Sequence, residues 1–494
     1  MQAVVLAGGQ GTRLWPLSLT KPKPMISLAN KPILHHIIEY LKGQGFGKIL
    51  ITTNYLKDVI QGHFGDGEGF GVEIDYPLED IPLDTAGSVK NTEELIDGTF
   101  VVIQGDNITD IDLSDVYRSH KKEGLICTIT LVEVDEPWEF GVAELRDQRI
   151  KDFVEKPEQG EEPSNLVNSG IYVLEPEVLG YIPENEPYDF AKDLFPHLLR
   201  EGVDIHGYCA EGFWTDIGSP AGYYAANEWM LDNLNDVQFS ETTFIGDDVE
   251  VQPPSLIGDV CMIEDGAEIG PYSVIGDNSI IHEGARITKT TIFENSSLGG
   301  DSHISSSIIG ENVVIRDNAK IMGSVIGGSC RFGRGVEIGD NSRIWPNTTL
   351  ISNSIVRGEL RRFISHGGEY HEGDKCGPSF ILRTVSDEEA FYFNKQMGND
   401  VVFTGMVAKN LDQFLSVLRS VEVESLEHHI EGAINDFEAW VKLVIRDSIL
   451  MSQYRLIGDR NLRGEILREA LIQETDKRCT RLREYLGRYY THGG

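Results

Sequence analysis

Cysteine is scarce in this chain: six among 494 residues, scattered, with no CxxC pair. That pattern argues against a disulfide framework and for reduced thiols in a cytosolic protein. No apolar run approaches the roughly 20 residues that a membrane-spanning helix needs. Met1 leads directly into a strand pattern, without the basic-then-apolar start of a signal peptide. A cytoplasmic location with no membrane partner is therefore expected. Basic residues are also few, since 43 Lys and Arg face 79 Asp and Glu, a formal net charge of -36. A field of that sign repels nucleic acid and anionic membranes, so neither is expected as the main partner. An anionic ligand must then be captured by a local cluster of positive charge.

Such a cluster is present near the N-terminus. Gln2-Ala3-Val4-Val5 reads as a buried strand, and it runs into LAGGQGTRLWPLSLTKPKPM, Leu6 to Met25. Gly8, Gly9 and Gly11 let successive backbone N–H groups point into one concavity, which suits phosphate oxygens. Arg13 and Lys23 add fixed positive charge. Lys21 is a helper or a solvated lysine, and the second reading is the simpler. The loop has neither the GxxxxGK[ST] spacing of a P-loop nor the GxGxxG spacing of a dinucleotide fold, so hydrolysis and hydride transfer recede.

From residue 1 to about 236 the chain alternates apolar strand runs (Lys48–Thr53, Val72–Tyr76, Phe100–Gln104) with helical stretches (Ile33–Leu41, Leu56–His63). This predicts an α/β domain with a doubly wound, mostly parallel sheet, which binds ligands outside the carboxyl ends of its strands. Gly8 and Asp106 both fall at such ends. From Cys127 to Val173 strands and turns suggest an inserted antiparallel portion. Over 239–356 an aliphatic residue recurs every sixth position, from Val251, Ile257 and Ile263 through Ile287 and Phe293. After a slip of one, the period resumes at Leu298 and Ile304, again at Ile309, Ile315 and Ile321, and then runs from Ile326 to Leu350. A six-residue period fits the coils of a hexapeptide-repeat parallel β-helix, with Gly258, Gly270, Gly276, Gly310, Gly327 and Gly339 at the corners. Residues 357–378 read as a linker or coil-end cover. His366, His371 and Cys376 there match no usual zinc spacing and read as loop residues. Residues 379–494 read as an all-α domain of unknown role. Its apolar faces are Leu411/Phe414/Leu415/Leu418 and Leu426 to Val444, and Ile466–Leu486 forms a further helix. Trp440, His428 and His429 are packing and surface residues.

The first half resembles the sugar-1-phosphate nucleotidylyltransferases. The resemblance rests on Leu6–Met25, TAGS (Thr85–Ser88), GDN (Gly105–Asn107), FGV (Phe140–Val142), VEKP (Val154–Pro157), NSGIY (Asn168–Tyr172) and WTDIGSP (Trp214–Pro220), in the family's order. It implies a Rossmann-like nucleotidyltransferase domain, to which the family also joins a left-handed hexapeptide β-helix. It implies nucleotide contacts at Leu6, Ala7, Gly8, Gly9, Gly11, Thr12, Asp84, Thr85 and Gly87, with Arg13 and Lys23 neutralising the triphosphate. Gly141, Glu155, Lys156 and Asn168 match the positions that hold the sugar phosphate, and Asp106 with Asp216 those that hold Mg2+. On residue chemistry alone Asp106 reads as a strand-end turn, Asp216 as a helix cap and Lys156 as an exposed turn lysine.

One position departs from the family, which usually has glycine before TAG where this chain has Asp84. Asp84 either caps the following helix or accepts hydrogen bonds from guanine N1–H and N2–H2. Within the family the segment Phe64–Tyr76 and TAGS look most like the mannose-1-phosphate guanylyltransferase branch, with GTP the favoured nucleotide and a hexose 1-phosphate the acceptor. Glucose-1-phosphate uridylyl- or thymidylyltransferases share nearly all these motifs. Acyl transfer on the β-helix would need a histidine base, and His282 and His303 read as turn residues. A nucleotide-sugar sensor without catalysis is a third reading, disfavoured by the complete set of charged residues. A homo-oligomer is expected from the β-helix, and the tail is a candidate for docking a partner protein.

Overall fold

A computed structural model of the protein describes residues 1–494 except 10, 54–56, 80, 235, 361–380, 399, 432–434, 446 and 492–494. The chain divides into two compact units, one of Met1–Leu14 with Lys21–Asn233, the other of Trp15–Thr20 with Leu234–Gly494.

The first unit is organised around the strand Gln2–Leu6, buried along its whole length. It pairs in parallel with Lys48–Thr52 on one side and Phe100–Gln104 on the other, and Glu73–Asp75 extends the sheet beyond Lys48–Thr52. Strand order thus reverses at Gln2–Leu6, which opens a crevice beyond its carboxyl end. Both faces of the strand are covered, which is why Ala3–Leu6 is continuously apolar. The helices Ile33–Gly43 and Lys57–Phe64 occupy the crossovers, and Leu56, the expected start of the second, lies outside the described residues. Past Phe100–Gln104 the sheet becomes mixed, in the order Leu166–Leu174, Cys127–Glu133, His206–Cys209, Arg149–Glu155, Gly141–Arg146. Arg149–Glu155 folds back antiparallel on Gly141–Arg146, and Leu166–Leu174 runs antiparallel to Cys127–Glu133. This is the antiparallel portion expected between Cys127 and Val173. A separate ribbon pairs Asn107–Thr109 with Trp214–Asp216.

The second unit is built on a three-sheeted parallel β-helix running from Val237–Phe239 to Glu359–Leu360. Its inward positions, including Ile257, Ile263, Ile269, Ile275, Ile281 and Ile287, form one buried column. The first slip in the six-residue period comes one step earlier than expected. Ile292 occupies the column, while Phe293 is buried outside it. The cause is a shorter coil: Ser255 pairs with Ser273, 18 residues on, but Val274 pairs with Thr291, 17 on. Of the glycines assigned to corners, Gly270 does take a left-handed backbone (φ +103°), but Gly276 and Gly310 serve a different purpose. Gly276 and Gly310 are absent from the left-handed residues, where Asn278, Asn295, Asn312 and Asn347 appear instead. Asparagine tolerates that region through its short polar side chain. A Cβ at Gly276 would lie 2.5 Å from Glu294 N, and one at Gly310 2.6 Å from Gly328 N. Glycine is needed there so that successive coils can stack. His282 hydrogen-bonds Glu264 one coil before it (3.0 Å) and Ser297 in the next coil (3.3 Å), a ladder that stacking itself produces.

The coil-end cover assigned to 357–378, with His366, His371 and Cys376, lies from residue 361 onward outside the described residues. The tail is helical from Leu411–Leu418 to Gly464–Thr491, and the all-α expectation needs one addition. A hairpin of Phe391–Met397 and Asp400–Ala408 comes first and joins the β-helix sheet through the pairing of Ile355 with Asp400. The long apolar face from Leu426 to Val444 is not one helix. Asn435 caps a new helix by accepting from Glu438 N at 3.1 Å, which separates Val423–Glu431 from Asp436–Trp440. Ile434 lies outside the described residues. Trp440 is fully buried, stacks on Phe414 at 5.0 Å and donates its indole N–H to Glu389 O, a packing role as expected. Buried His429 accepts from Asn394 N (2.8 Å) and hydrogen-bonds Asp436 (3.0 Å).

Candidate active site

A cavity of about 350 Å3 opens in the first unit, and residues from distant parts of the sequence meet in it. Asp106 follows Phe100–Gln104 and so stands beyond the carboxyl end of a central strand. Asp216 reaches it because Trp214–Asp216 zips antiparallel onto Asn107–Thr109, with Asp216 opposite Asn107 and Ile217 N donating to Asp106 O at 3.0 Å. The helix-cap reading of Asp216 fails, since Ser219 caps the helix Pro220–Asp232. The buried Lys23 ammonium lies between the two carboxylates, hydrogen-bonded to Asp106 and 3.5 Å from Asp216. Arg13 reaches Asp216 at 3.8 Å from a more exposed position.

The electrostatics follow from that crowding. Burial alone would lower the pKa of Lys23, but Asp106 and then Asp216 outweigh it and hold the pKa above its usual value. Burial and the facing Asp106 push the Asp216 carboxyl up to about 6, against the pull of Lys23. Asp216 Oδ1 is buried without a hydrogen-bond partner. Two adjoining carboxylates with an underused oxygen suit a hard divalent cation that draws its other ligands from phosphates and water. The pair fits Mg2+. Among the described residues there is no group of three or more His, Cys, Asp or Glu that could hold a metal.

The opposite wall comes from the antiparallel portion. Gly141 pairs with Glu155, and a Cβ at Gly141 would fall 2.7 Å from Glu155 Oε2, so glycine makes room for that carboxylate. Burial raises the pKa of Glu155 despite the opposing charge of Lys156. Lys156 has φ +47° and donates its N–H to Phe140 O, a turn that presents its side chain to the cavity. Asn168 sits where the register of Leu166–Leu174 shifts, its amide donating to the Tyr172 hydroxyl (3.0 Å) and accepting from Gly170 N (2.9 Å). Such a bulge re-aims a side chain out of the ladder.

Residues 2–233 match the nucleotidyl transferase family, and residues 251–360 match the GMPPB C-terminal domain. The chain is 34% identical to a UTP--glucose-1-phosphate uridylyltransferase of Synechocystis over 63% of its own length and 87% of the relative's. It is 37% identical to a mannose-1-phosphate guanyltransferase of Aspergillus oryzae, and equally to the beta-A enzyme of that name in Xenopus laevis, each over 63% of this chain and 86% of the relative. The chain belongs to the sugar-phosphate nucleotidyltransferases. It transfers a nucleotidyl group onto a sugar phosphate.

Not every residue carried over from the family comes to this nucleotidyltransferase's cavity. Gly8, Gly9 and Thr12 are exposed on the loop, while Leu6 and Ala7 are buried at the strand end, Ala7 N donating to Thr52 O. Gly87 is buried, with its N–H committed to Tyr188 O. Thr85 does line the cavity, its hydroxyl donating to Asp189 at 2.9 Å. Asp84 is exposed and is the first residue of the helix Asp84–Lys90, at φ +56°, while Leu83 stands at the N-cap position. The helix-cap reading of Asp84 therefore has no geometric support. The left-handed backbone also explains why a glycine would sit comfortably there.

Three charged lining residues lie outside the motifs singled out in the sequence: Glu139, Asp189 and Lys192. Asp189 caps the turn of helix Phe190–Leu194, accepting from Ala191 N and Lys192 N, and so orients Lys192. Nothing in the sequence around Tyr188-Asp189-Phe190 marks it, because its partner Thr85 is 104 residues away. No helix among the described residues is long and apolar enough to cross a membrane.

Proposed function

We propose that this protein makes GDP-mannose and pyrophosphate from GTP and mannose 1-phosphate, using Mg2+. The observation that carries the reading is the 37% identity to mannose-1-phosphate guanyltransferases across 86% of their length. Arg13 and Lys23 neutralise the triphosphate, with the N–H groups of Gly8, Gly9 and Gly11 around it. Lys156 holds the sugar phosphate on the opposite wall, while Glu155 and Asn168 contact sugar hydroxyls. A sugar-phosphate oxygen bonds to the α-phosphorus as the bond to the departing pyrophosphate breaks. The attacking phosphate is already ionised, so no side chain need take a proton. Catalysis is therefore positioning and charge neutralisation. Asp106 and Asp216 would hold Mg2+, which would supply positive charge to offset that of the phosphates.

Asp84 is the residue we assign to the base. Its carboxylate is exposed and not engaged in capping, and it can accept from guanine N1–H and N2–H2, which uracil lacks. A pyrophosphate-release screen of NTPs against hexose 1-phosphates tests the whole reading: GTP with mannose 1-phosphate turns over fastest. The Synechocystis relative favours a second reading, UTP with glucose 1-phosphate. Asp84→Gly separates the two, lowering the GTP-to-UTP preference if Asp84 reads the base and leaving it unchanged otherwise.

We further propose a cytoplasmic homo-oligomer. Phe244 and Met262 pair in adjacent coils near the start of the β-helix and, with Phe239 and Val260, leave apolar surface exposed. Light scattering that returned a monomer mass would reject this. The tail is the part we assign to docking a partner protein, and pull-downs with and without residues 379–494 test that.

A further inference from the structure

The six residues Trp15–Thr20 lie in the middle of the phosphate-binding stretch, yet they belong to the second compact unit. Arg13 and Lys23, the two cations we assign to the triphosphate, flank them in sequence. The hexapeptide is seated by late β-helix coils and the tail hairpin. The Trp15 ring meets Trp345 edge-on at 5.8 Å, and Trp345 meets Tyr392 edge-on at 4.9 Å. Leu19, 1% exposed, is buried in the same cluster as Trp345, Ala390 and Tyr392. Arg343 Nη1 donates to Trp15 O at 3.2 Å. The Tyr392 hydroxyl donates to Asp387 O at 2.8 Å, which fixes the ring against the cluster.

A glycine-rich phosphate loop gains affinity when its charged groups are held near the bound geometry before the ligand arrives. Glycines alone cannot supply that order, because they carry no side chains to pack. A buried aromatic cluster can. We propose that Arg343, Trp345 and Tyr392 are positioning residues for nucleotidyl transfer: by seating Trp15–Thr20 they set the spacing of Arg13 and Lys23, and so tune the site for the NTP. The coupling runs through the peptide bonds that join the hexapeptide to Leu14 and Lys21. A displaced hexapeptide therefore displaces both cations. This inference rests on Arg13 and Lys23 serving the triphosphate, and it is independent of which base or sugar is used.

Steady-state kinetics on the full-length chain, with whichever NTP and sugar 1-phosphate the wild type turns over, provide the test. Tyr392→Ala and Arg343→Met raise KM for the NTP about tenfold and leave KM for the sugar phosphate within about twofold. Tyr392→Phe, which keeps the ring, restores most of the loss. Leu19→Ala reproduces the effect from the loop side. Its combination with Tyr392→Ala is less than additive, as expected for side chains in one cluster. Wild-type KM for the NTP in a Tyr392→Ala protein that melts normally overturns the proposal. So does an equal rise in both KM values. If Tyr392→Ala does not fold, Leu19→Ala and Arg343→Met decide by the same two readings. A wild type that prefers UTP would end the GTP proposal and leave this test unchanged.

Discussion

Contacts in the β-helix and contacts in the active-site cavity span very different distances along the chain. Asp247 N bonds Asp265 across 18 positions, and Val313 N bonds Ser296 across 17, one coil away. Lys23 bonds Asp106 across 83 positions, and Thr85 bonds Asp189 across 104. In the solenoid each coil needs only its neighbours, so away from the late coils that seat Trp15–Thr20 a lesion stays local and costs stability. In the cavity a few charges gathered from distant segments act as one group, so a lesion costs chemistry. The same residue type serves both regions differently: Gly276 lets coils stack, while Gly141 makes room for a carboxylate.

That contrast can be broken by experiment. The largest effect is expected at the carboxylate pair, where Asp106→Asn or Asp216→Asn lowers kcat/KM by about a thousandfold. Circular dichroism and Tm should stay close to wild type. Chelation by EDTA should stop turnover and added Mg2+ restore it; turnover that persists in EDTA would remove the metal from the mechanism. Ile304→Ala, in the β-helix column, should reverse the pattern, costing about 3 kcal/mol of stability with kcat/KM unchanged. A matching fall in kcat/KM would show that the two regions are not separable in this way. Lys156→Ala should lower kcat/KM for the sugar phosphate about a hundredfold while NTP binding, measured by calorimetry, holds. Equal loss of NTP affinity would move Lys156 to the other phosphate.

The smallest effect is a pH dependence inside the first unit. His36 donates from Nε2 to Leu28 O at 2.8 Å, and burial lowers its pKa to about 4. The unfolded chain, with a pKa of about 6.5, takes up the proton first as pH falls. Stability should therefore decline between about pH 6.5 and 4, then level off, as followed by denaturant midpoints. His36→Phe should flatten that decline, and an unaltered profile would assign it to other groups.

The β-helix was readable because its rule is local. Ile257 to Ile287 repeat at a fixed interval, and any window of a dozen residues carries the signal. Only the slip at Ile292 was misplaced by a step, since Ile292 and Phe293 are both apolar and a shortened coil leaves no other mark. The hairpin Phe391–Ala408 was missed because its residues pair with each other and with Ile355, not with a repeat. In the site, the family motifs brought Arg13, Lys23, Asp106, Lys156, Asn168 and Asp216 to attention, while Asp189 and Lys192 lie outside every motif.

Periodicity and ordered motifs were thus enough for the architecture, the family and most of the charged residues. Folding alone decided how those charges act. The raised pKa of Asp216 and its approach to Lys23 exist only because Trp214–Asp216 pairs with Asn107–Thr109 beside the sheet. Electrostatic coupling acts over a few ångströms of space, whatever the distance along the chain. The same reason assigns Trp15–Thr20 to the cluster of Trp345 and Tyr392, although the sequence places it within the phosphate loop.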